Sequence, residues 1–236
     1  MSGAHIVFVV AGMGDETRHG DASVIASIAR EQGALSIAMV YRPSSFDHTQ
    51  CQNVADEELR AMKLPADALF VISNTRPGEL DDHTTVTSPF AAATITSEET
   101  VAKWIRCMAS FMIKPSLLHV GLDDFCHAMT GSRKNGCAII EPAGGQAQGL
   151  DRAVHATAKA LAHSPFREYL SQADGILWII TTADPESLMS RELSQISGEI
   201  QKHISERCFC LCNVRYEPDM PLDGLKVEIL VSHWAE

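Results

Sequence analysis

His5–Ala22 reads HIVFVVAGMGDETRHGDA. Residues His5 to Ala11 are apolar and rich in β-branched side chains, without alternation. That pattern predicts a strand buried on both faces, in the middle of a parallel sheet. The run ends in Gly12-Met13-Gly14, crosses a polar turn to Gly20, and enters the apolar-periodic run Val24–Ala34 through Asp21-Ala22-Ser23. Strand, glycine turn and helix in that order are how an α/β protein aims backbone N–H groups at a phosphate. Asp15 and Glu16 occupy the turn where a phosphate cradle takes glycines. The strand comes so early that no preceding segment is left to pair with it.

Downstream, the pattern alternates. Leu35–Val40 (LSIAMV) is a second buried strand, Val54–Leu64 a helix with a charged face, and Ala68–Ser73 (ALFVIS) a third strand closed by Asn74-Thr75-Arg76-Pro77-Gly78. Strands alternating with helices imply βαβ units and a parallel sheet. Glu79–Pro89 is polar, Thr-rich and aperiodic, and reads as a loop. Ser97–Met112 reads as a helix buried along one side, with Ser97 as its cap and Glu98 and Glu99 in the first turn. Asp124–Met129 is a short helix.

After Gly131 the composition shifts. Cys137–Ile140 reads as a strand, Pro142–Gly149 as a glycine-rich loop, and Leu150–His163 as an Ala-rich amphipathic helix capped by Asp151. Strand Gly175–Thr182, helix Ser187–Ser205, strand Arg207–Val214, loop Glu217–Asp223 and strand Leu225–Ser232 complete an α+β region. The expected division is 1–96, 97–130 and 131–236.

Composition narrows the function classes. The chain has 236 residues, 45% apolar and 21% charged, enough for one large or two small cores. A net charge of −11 disfavours nucleic acid and anionic membrane as partners. No apolar run reaches the roughly 18 residues of a membrane-spanning helix, and MSGAHIVFVV lacks the basic start and cleavage site of a signal peptide. Seven scattered cysteines fit a reducing cytoplasm. Cys208, Cys210 and Cys212 alternate along one strand. Their spacing spreads sulfurs along that strand rather than around one ion, so no metal site is assigned.

The landmarks together resemble FtsZ, the tubulin-like cell-division GTPase. HIVFVVAGMG, its turn and SVIASIAREQGALSIAMVYRP look like the family's strand, GGGTGTG loop, helix and next strand. DALFVISNTR (Asp67–Arg76), GLDRAVHATAKALAHSPF (Gly149–Phe166) and YEPDMPLDGLKVEILVS (Tyr216–Ser232) resemble later family segments in the right order. The resemblance implies an α/β fold: a truncated Rossmann-like GTPase sheet, a central helix and an α+β FtsZ-type domain. It also implies that the first half of the nucleotide-binding domain and the C-terminal tail are missing.

It implies a vestigial GTP site as well. Gly12, Gly14, Thr17 and Gly20 keep phosphate-loop positions, while Asp15, Glu16, Arg18 and His19 depart from them. Two carboxylates beside a triphosphate repel it by about 4 kcal/mol per pair, at about 4 Å and an effective dielectric of about 20. Asp47 and Asn74 match further nucleotide contacts. Cys51 replaces a cation, Ile95 a stacking Phe, and Thr100, beside Glu99, the guanine-reading Asp.

FtsZ active sites form between successive filament subunits, one of which inserts an acidic NxDxxD loop. The matching stretch here is His119-Val120-Gly121-Leu122-Asp123-Asp124. Asp124 keeps one of the two acids, Gly121 loses the other, and His119 with Asp124 is the remaining acid–base pair. The expectation is therefore a cytoplasmic FtsZ-like protein without GTPase activity of its own. It would associate with itself or with a full-length FtsZ-type protein, through the Ile6–Val10 edge and the His119–Asp124 loop. GTP is the one cofactor the resemblance suggests. The alternatives are a GTPase completed by another chain, a nucleotide-independent structural polymer, and a truncated product.

Overall fold

Leu35–Val40 is buried at every position, and it is the strand around which the first half of the chain is built. The computed structural model describes residues 3–14, 21–43, 48–73, 89–113, 120–131, 137–162 and 166–234. The chain forms two compact units. The first comprises Met1–Cys107 with Asn135–Cys137, the second Met108–Lys134 with Ala138–Glu236.

In the first unit the order is β1 (Ile6–Gly12), α1 (Asp21–Glu31), β2 (Leu35–Arg42), α2 (Thr49–Met62), β3 (Ala68–Ser73) and the first part of α3 (Pro89–Ile113). β2 pairs in parallel with β1 (Val9↔Ala38) and with β3 (Met39↔Phe70), as the alternating pattern predicts. One core gathers Val9, Met13, Ala26, Ala38, Val40, Ala55, Met62 and Leu69. Phe70 meets Trp104 of α3 at 6.2 Å between ring centroids.

β1 is not buried on both faces as its composition suggests. Val9, 5% exposed, joins the core with α1 and α2, while its strand neighbour Val10 points to the other face and is 46% exposed; among the described residues β1 also pairs with β2 alone. On α1, Val24, Ile25 and Ile28 are each at least 40% exposed as well. The helix beginning at Pro89 also corrects the reading that started it at Ser97. Proline at the first helical position loses only an N–H that has no intrahelical partner. Ser97 is therefore interior to α3 and not its cap.

The second unit takes the end of α3, then α4 (Leu122–Thr130), β4 (Ala138–Gln148), α5 (Arg152–Leu161), α6 (Phe166–Ser171), β5 (Gly175–Thr182), a 3-10 turn (Pro185–Ser187), α7 (Ser190–Gln201), β6 (Phe209–Tyr216) and β7 (Gly224–Trp234). Strand β7 lies antiparallel between β4 and β5, and β6 pairs in parallel with β5. The apolar faces of α5 and α7 (Ala156, Ala160, Ile196, Ile200) close over Trp178, Val227 and Ile229. Asp184 starts the 3-10 turn by accepting the Glu186 and Ser187 N–H groups, each at 2.8 Å.

The glycine-rich stretch Pro142–Gly149 is no loop: up to Gln148 it continues β4 in register with β7. Its glycines serve packing. A Cβ at Gly145 would lie 2.1 Å from the Ala156 carbonyl oxygen and 2.7 Å from the Ala160 nitrogen, so this glycine sets how closely α5 approaches the sheet. Asp151 stands at the N-cap of α5 in a left-handed conformation (φ 57°), but its side chain makes no capping hydrogen bond.

Buried charge ties this unit together. Arg152 forks onto Glu192, with Nε–Oε1 at 2.7 Å and an Nη2–Oε2 contact at 3.0 Å. Its guanidinium also donates to the carbonyls of Leu222, Gly224 and Ser187. One side chain thus fastens α5 to α7 and to both turns beside them. On the same sheet Arg215 reaches Glu228 (3.4 Å) and the Ser110 hydroxyl, and Lys226 closes on Glu228 at 3.0 Å.

Candidate functional site

Ligands of open α/β sheets bind at the carboxyl ends of the strands. Here the end of β1, the first turns of α1 and one face of α2 line a cleft of about 250 Å³. Gly12 and Met13 come from the strand end, Asp21 and Ile25 from α1, and Glu58 and Met62 from α2.

Gly12 is the last residue of β1, paired with Tyr41, with open space on its Cβ side. Beyond it the Met13 N–H donates to the Tyr41 carbonyl at 3.0 Å. Gly14 has φ +91°, and a Cβ there would sit 2.8 Å from the Cys51 carbonyl oxygen and 2.8 Å from Pro43 Cγ. Only glycine fits where the chain leaving β1 passes the first turn of α2. The Gly14 N–H donates to Glu58 Oε2 at 2.7 Å. Both amides that follow β1 are thus satisfied from within the chain, and the second is held by a carboxylate.

A carboxylate at this amide sits where an α/β crevice would present the N–H to a phosphate. With Asp21 in the same cleft, the lining is acidic as well as apolar. Sequence reading passed over Glu58, although a signal was present. Ala55, Leu59 and Met62 form the i, i+4, i+7 inward stripe of α2, and Glu58 at i+3 falls on that same face.

Cys51 lies in the first turn of α2, and Arg42, at the end of β2, is ion-paired with Asp56. Ile95, Glu99 and Thr100 all lie on α3. The Tyr41 phenol is pushed up by burial and by the Glu98 carboxylate. Thr17, Gly20, Asp47 and Asn74 lie outside the described residues, as does His119.

Asp124 belongs to the second unit and is described there. It lies exposed in the first turn of α4, beside Asp123, where the helix dipole favours anions. Gly121 is the N-cap, and a Cβ on it would come within 3.3 Å of the Asp124 carboxylate. Among the described residues no group of three or more His, Cys, Asp or Glu side chains is placed to hold a metal ion. No described helix is long and apolar enough to cross a membrane.

No family model matches the chain. It is 30% identical to the cell division protein FtsZ of Pseudomonas aeruginosa over 234 residues, 98% of this chain and 56% of that protein. Among solved structures, an empty FtsZ dimer of M. jannaschii matches with a TM-score of 0.81 at 21% identity, covering 98% of this chain and 64% of that one. A GTPγS-bound protofilament of CetZ2 from Haloferax volcanii matches with a TM-score of 0.71 at 15% identity, covering 100% and 67%. These two establish the fold alone. The chain spans a little over half the length of the curated relative. Identity over nearly the whole chain, joined to the same α/β fold, makes this chain a member of the FtsZ/tubulin superfamily.

Proposed function

We propose that the chain is a cytoplasmic FtsZ-type subunit that does not turn over nucleotide itself. It acts in cell division by engaging filaments of a full-length FtsZ-type protein. The observation that carries this reading is the Gly14 amide held by Glu58. A phosphate arriving there must displace a carboxylate or share space with it, and two such charges repel by about 4 kcal/mol at about 4 Å with an effective dielectric of about 20. Asp15 and Glu16, the next two residues in sequence, add further negative charge. On the other side of the reaction, Gly121 supplies no acid and Asp124 stands as one carboxylate of a loop that the family fills with two.

Docking is a different requirement, and the parts for it remain. The stretch leading into α4 keeps the family's position for a loop inserted into a neighbouring subunit. The solved neighbours are described as a dimer and a protofilament, which supports self-association as the mode of action.

A second reading rests on β1. Its outer edge with the exposed Val10, and the exposed Val24, Ile25 and Ile28 on α1, are apolar groups suited to cover by another strand and helix. A chain supplying those elements would complete a GTPase. Calorimetric titration of GTP into the chain, with oligomeric state measured on the same sample, separates the two. The first reading expects no binding heat. Micromolar GTP binding by the chain alone would overturn it, and binding only when a second chain is added would favour completion.

A further inference from the structure

We propose that Cys210 is a site of oxidative modification and that Cys208 is its resolving partner, so that a hydroperoxide converts the pair into an intramolecular disulfide. None of the seven cysteines is in a disulfide, and Cys210 is the one that is exposed. It sits near the start of β6, the outer strand of its sheet, which pairs with β5 alone among the described residues. Cys208 lies just before that strand, 9% exposed, in the core beneath α5 and α7.

Cys210 Sγ donates to the Cys208 carbonyl oxygen at 3.3 Å and Cys208 Sγ to the Phe209 carbonyl oxygen at 3.9 Å, so both thiols lie against one short stretch of backbone and within reach of each other. The pair is asymmetric in the sense the chemistry requires. The Cys208 S–H stabilises the neighbouring thiolate, drawing the Cys210 thiol down to about 7. Cys208 itself is pushed up by that hydrogen bond and by burial. Burial alone pushes up Cys212, to about 11, and heads the causes for Cys137, at about 12. An exposed thiolate with a protonated thiol in contact is the arrangement of peroxide-sensing cysteines.

The steps balance. The Cys210 thiolate attacks one oxygen of hydrogen peroxide, the O–O bond breaks, and the departing hydroxide takes a proton to leave as water. Cys210 is then a sulfenic acid. The Cys208 sulfur attacks the Cys210 sulfur, forming the S–S bond and expelling hydroxide, which leaves as a second water with the Cys208 proton. Two thiols are oxidised and one peroxide is reduced. The ring spans only Phe209, and short strained bridges of this kind are readily reduced by ordinary thiols, which makes the change reversible.

The test is oxidation of the folded chain with one equivalent of hydrogen peroxide at neutral pH, followed by alkylation and peptide mass spectrometry. Wild type is expected to lose two hydrogens in the peptide bearing Cys208 and Cys210, restored by dithiothreitol. Cys208→Ser is expected to accumulate a dimedone-trapped sulfenic acid at Cys210, and Cys210→Ser to leave Cys208 reduced. Should either variant fail to fold, the wild type alone decides through its iodoacetamide reactivity. Cys210 is expected to react first, with a pH midpoint near 7, and to lose that advantage in urea. Equal oxidation of Cys51 or Cys126, or over-oxidation of Cys210 with Cys208 left free, would overturn the proposal.

Discussion

The backbone N–H of Gly14 and the side-chain oxygen Oε2 of Glu58 are 2.7 Å apart, although 44 positions separate them in the chain. This bond joins the turn after β1 to α2 and puts the chain's own anion at the mouth of the crevice. Glu58→Ala removes the acceptor of a partly buried amide and should lower stability by about 1–3 kcal/mol in urea denaturation. Glu58→Gln keeps an oxygen acceptor and should cost less, while removing the charge. The Gly14 amide resonance of Glu58→Gln should then move on addition of pyrophosphate, whereas that of wild type should not. An unmoved Gly14 in the variant would show that Glu58 is not what repels anions there.

The Arg152–Glu192 pair is the principal fastening of the second unit, with both side chains at most 10% exposed. The guanidinium is held above its ordinary value, and the carboxylate below its own, first of all by their mutual hydrogen bonds. Removing one partner strands the other charge in the interior. Arg152→Ala should therefore cost about 3–5 kcal/mol, read as a lower denaturation midpoint. Arg152→Lys should recover only part of this, since an ammonium cannot reproduce the fork onto Glu192 and the three carbonyls.

Much of the second unit and its order of elements were legible before any coordinates. Gly175–Thr182, apolar from Ile176 to Ile180 and set between Asp174 and Asp184-Pro185, reads as a buried strand and is one, buried at every position. Two places misled. Pro142, Gly144 and Gly145 read as a loop because glycine usually marks one, yet Gly145 is set by Ala156, a helical residue whose approach no local pattern reveals. Glu79–Pro89 read as an aperiodic loop and the next helix as starting at Ser97, yet a 25-residue helix opens on Pro89 itself. Of the candidate site, Gly12 and Gly14 stand in the strand–glycine turn and Asp124 was named by the resemblance to the family's acidic loop, but Glu58 was not sought. Its partner is distant in sequence, and a lone glutamate on a helix is more often solvated.

His233 makes the second unit sensitive to acid. It is 5% exposed, stacks on Tyr169 at 4.3 Å, and sits below the ordinary imidazole value of 6.5 because burial disfavours its charged form. The Trp234 backbone and Asp174 offset part of that shift. Below pH 6.5 the unfolded imidazole takes up a proton that the folded one resists. Stability is therefore fully present above 6.5 and is lost as pH falls through the folded value. Urea midpoints measured from pH 8 to pH 5 should fall more steeply in wild type than in His233→Phe. Parallel profiles would remove His233 as the cause.

Association through β1 should depend on its apolar flank. Val10, at 46% exposure, and Ile28, at 42%, are the residues to charge. Val10→Lys combined with Ile28→Glu should weaken self-association or capture of a partner by at least about tenfold, or roughly 1.4 kcal/mol, in sedimentation equilibrium. Unchanged association would place the contact elsewhere. In a wild-type oligomer the amides of Ile6–Val10 should be protected from exchange. Rapid exchange there in a stable monomer would contradict a paired edge.

The central claim is that this superfamily member acts on filaments without turning over nucleotide. It is tested most directly by light scattering and phosphate release from Pseudomonas aeruginosa FtsZ assembling with GTP, with this chain added at substoichiometric amounts. The account predicts that polymer mass and GTPase rate both change in proportion to the added chain, while the chain alone releases no phosphate. Assembly and turnover identical with and without the chain, or phosphate release by the chain on its own, would contradict it.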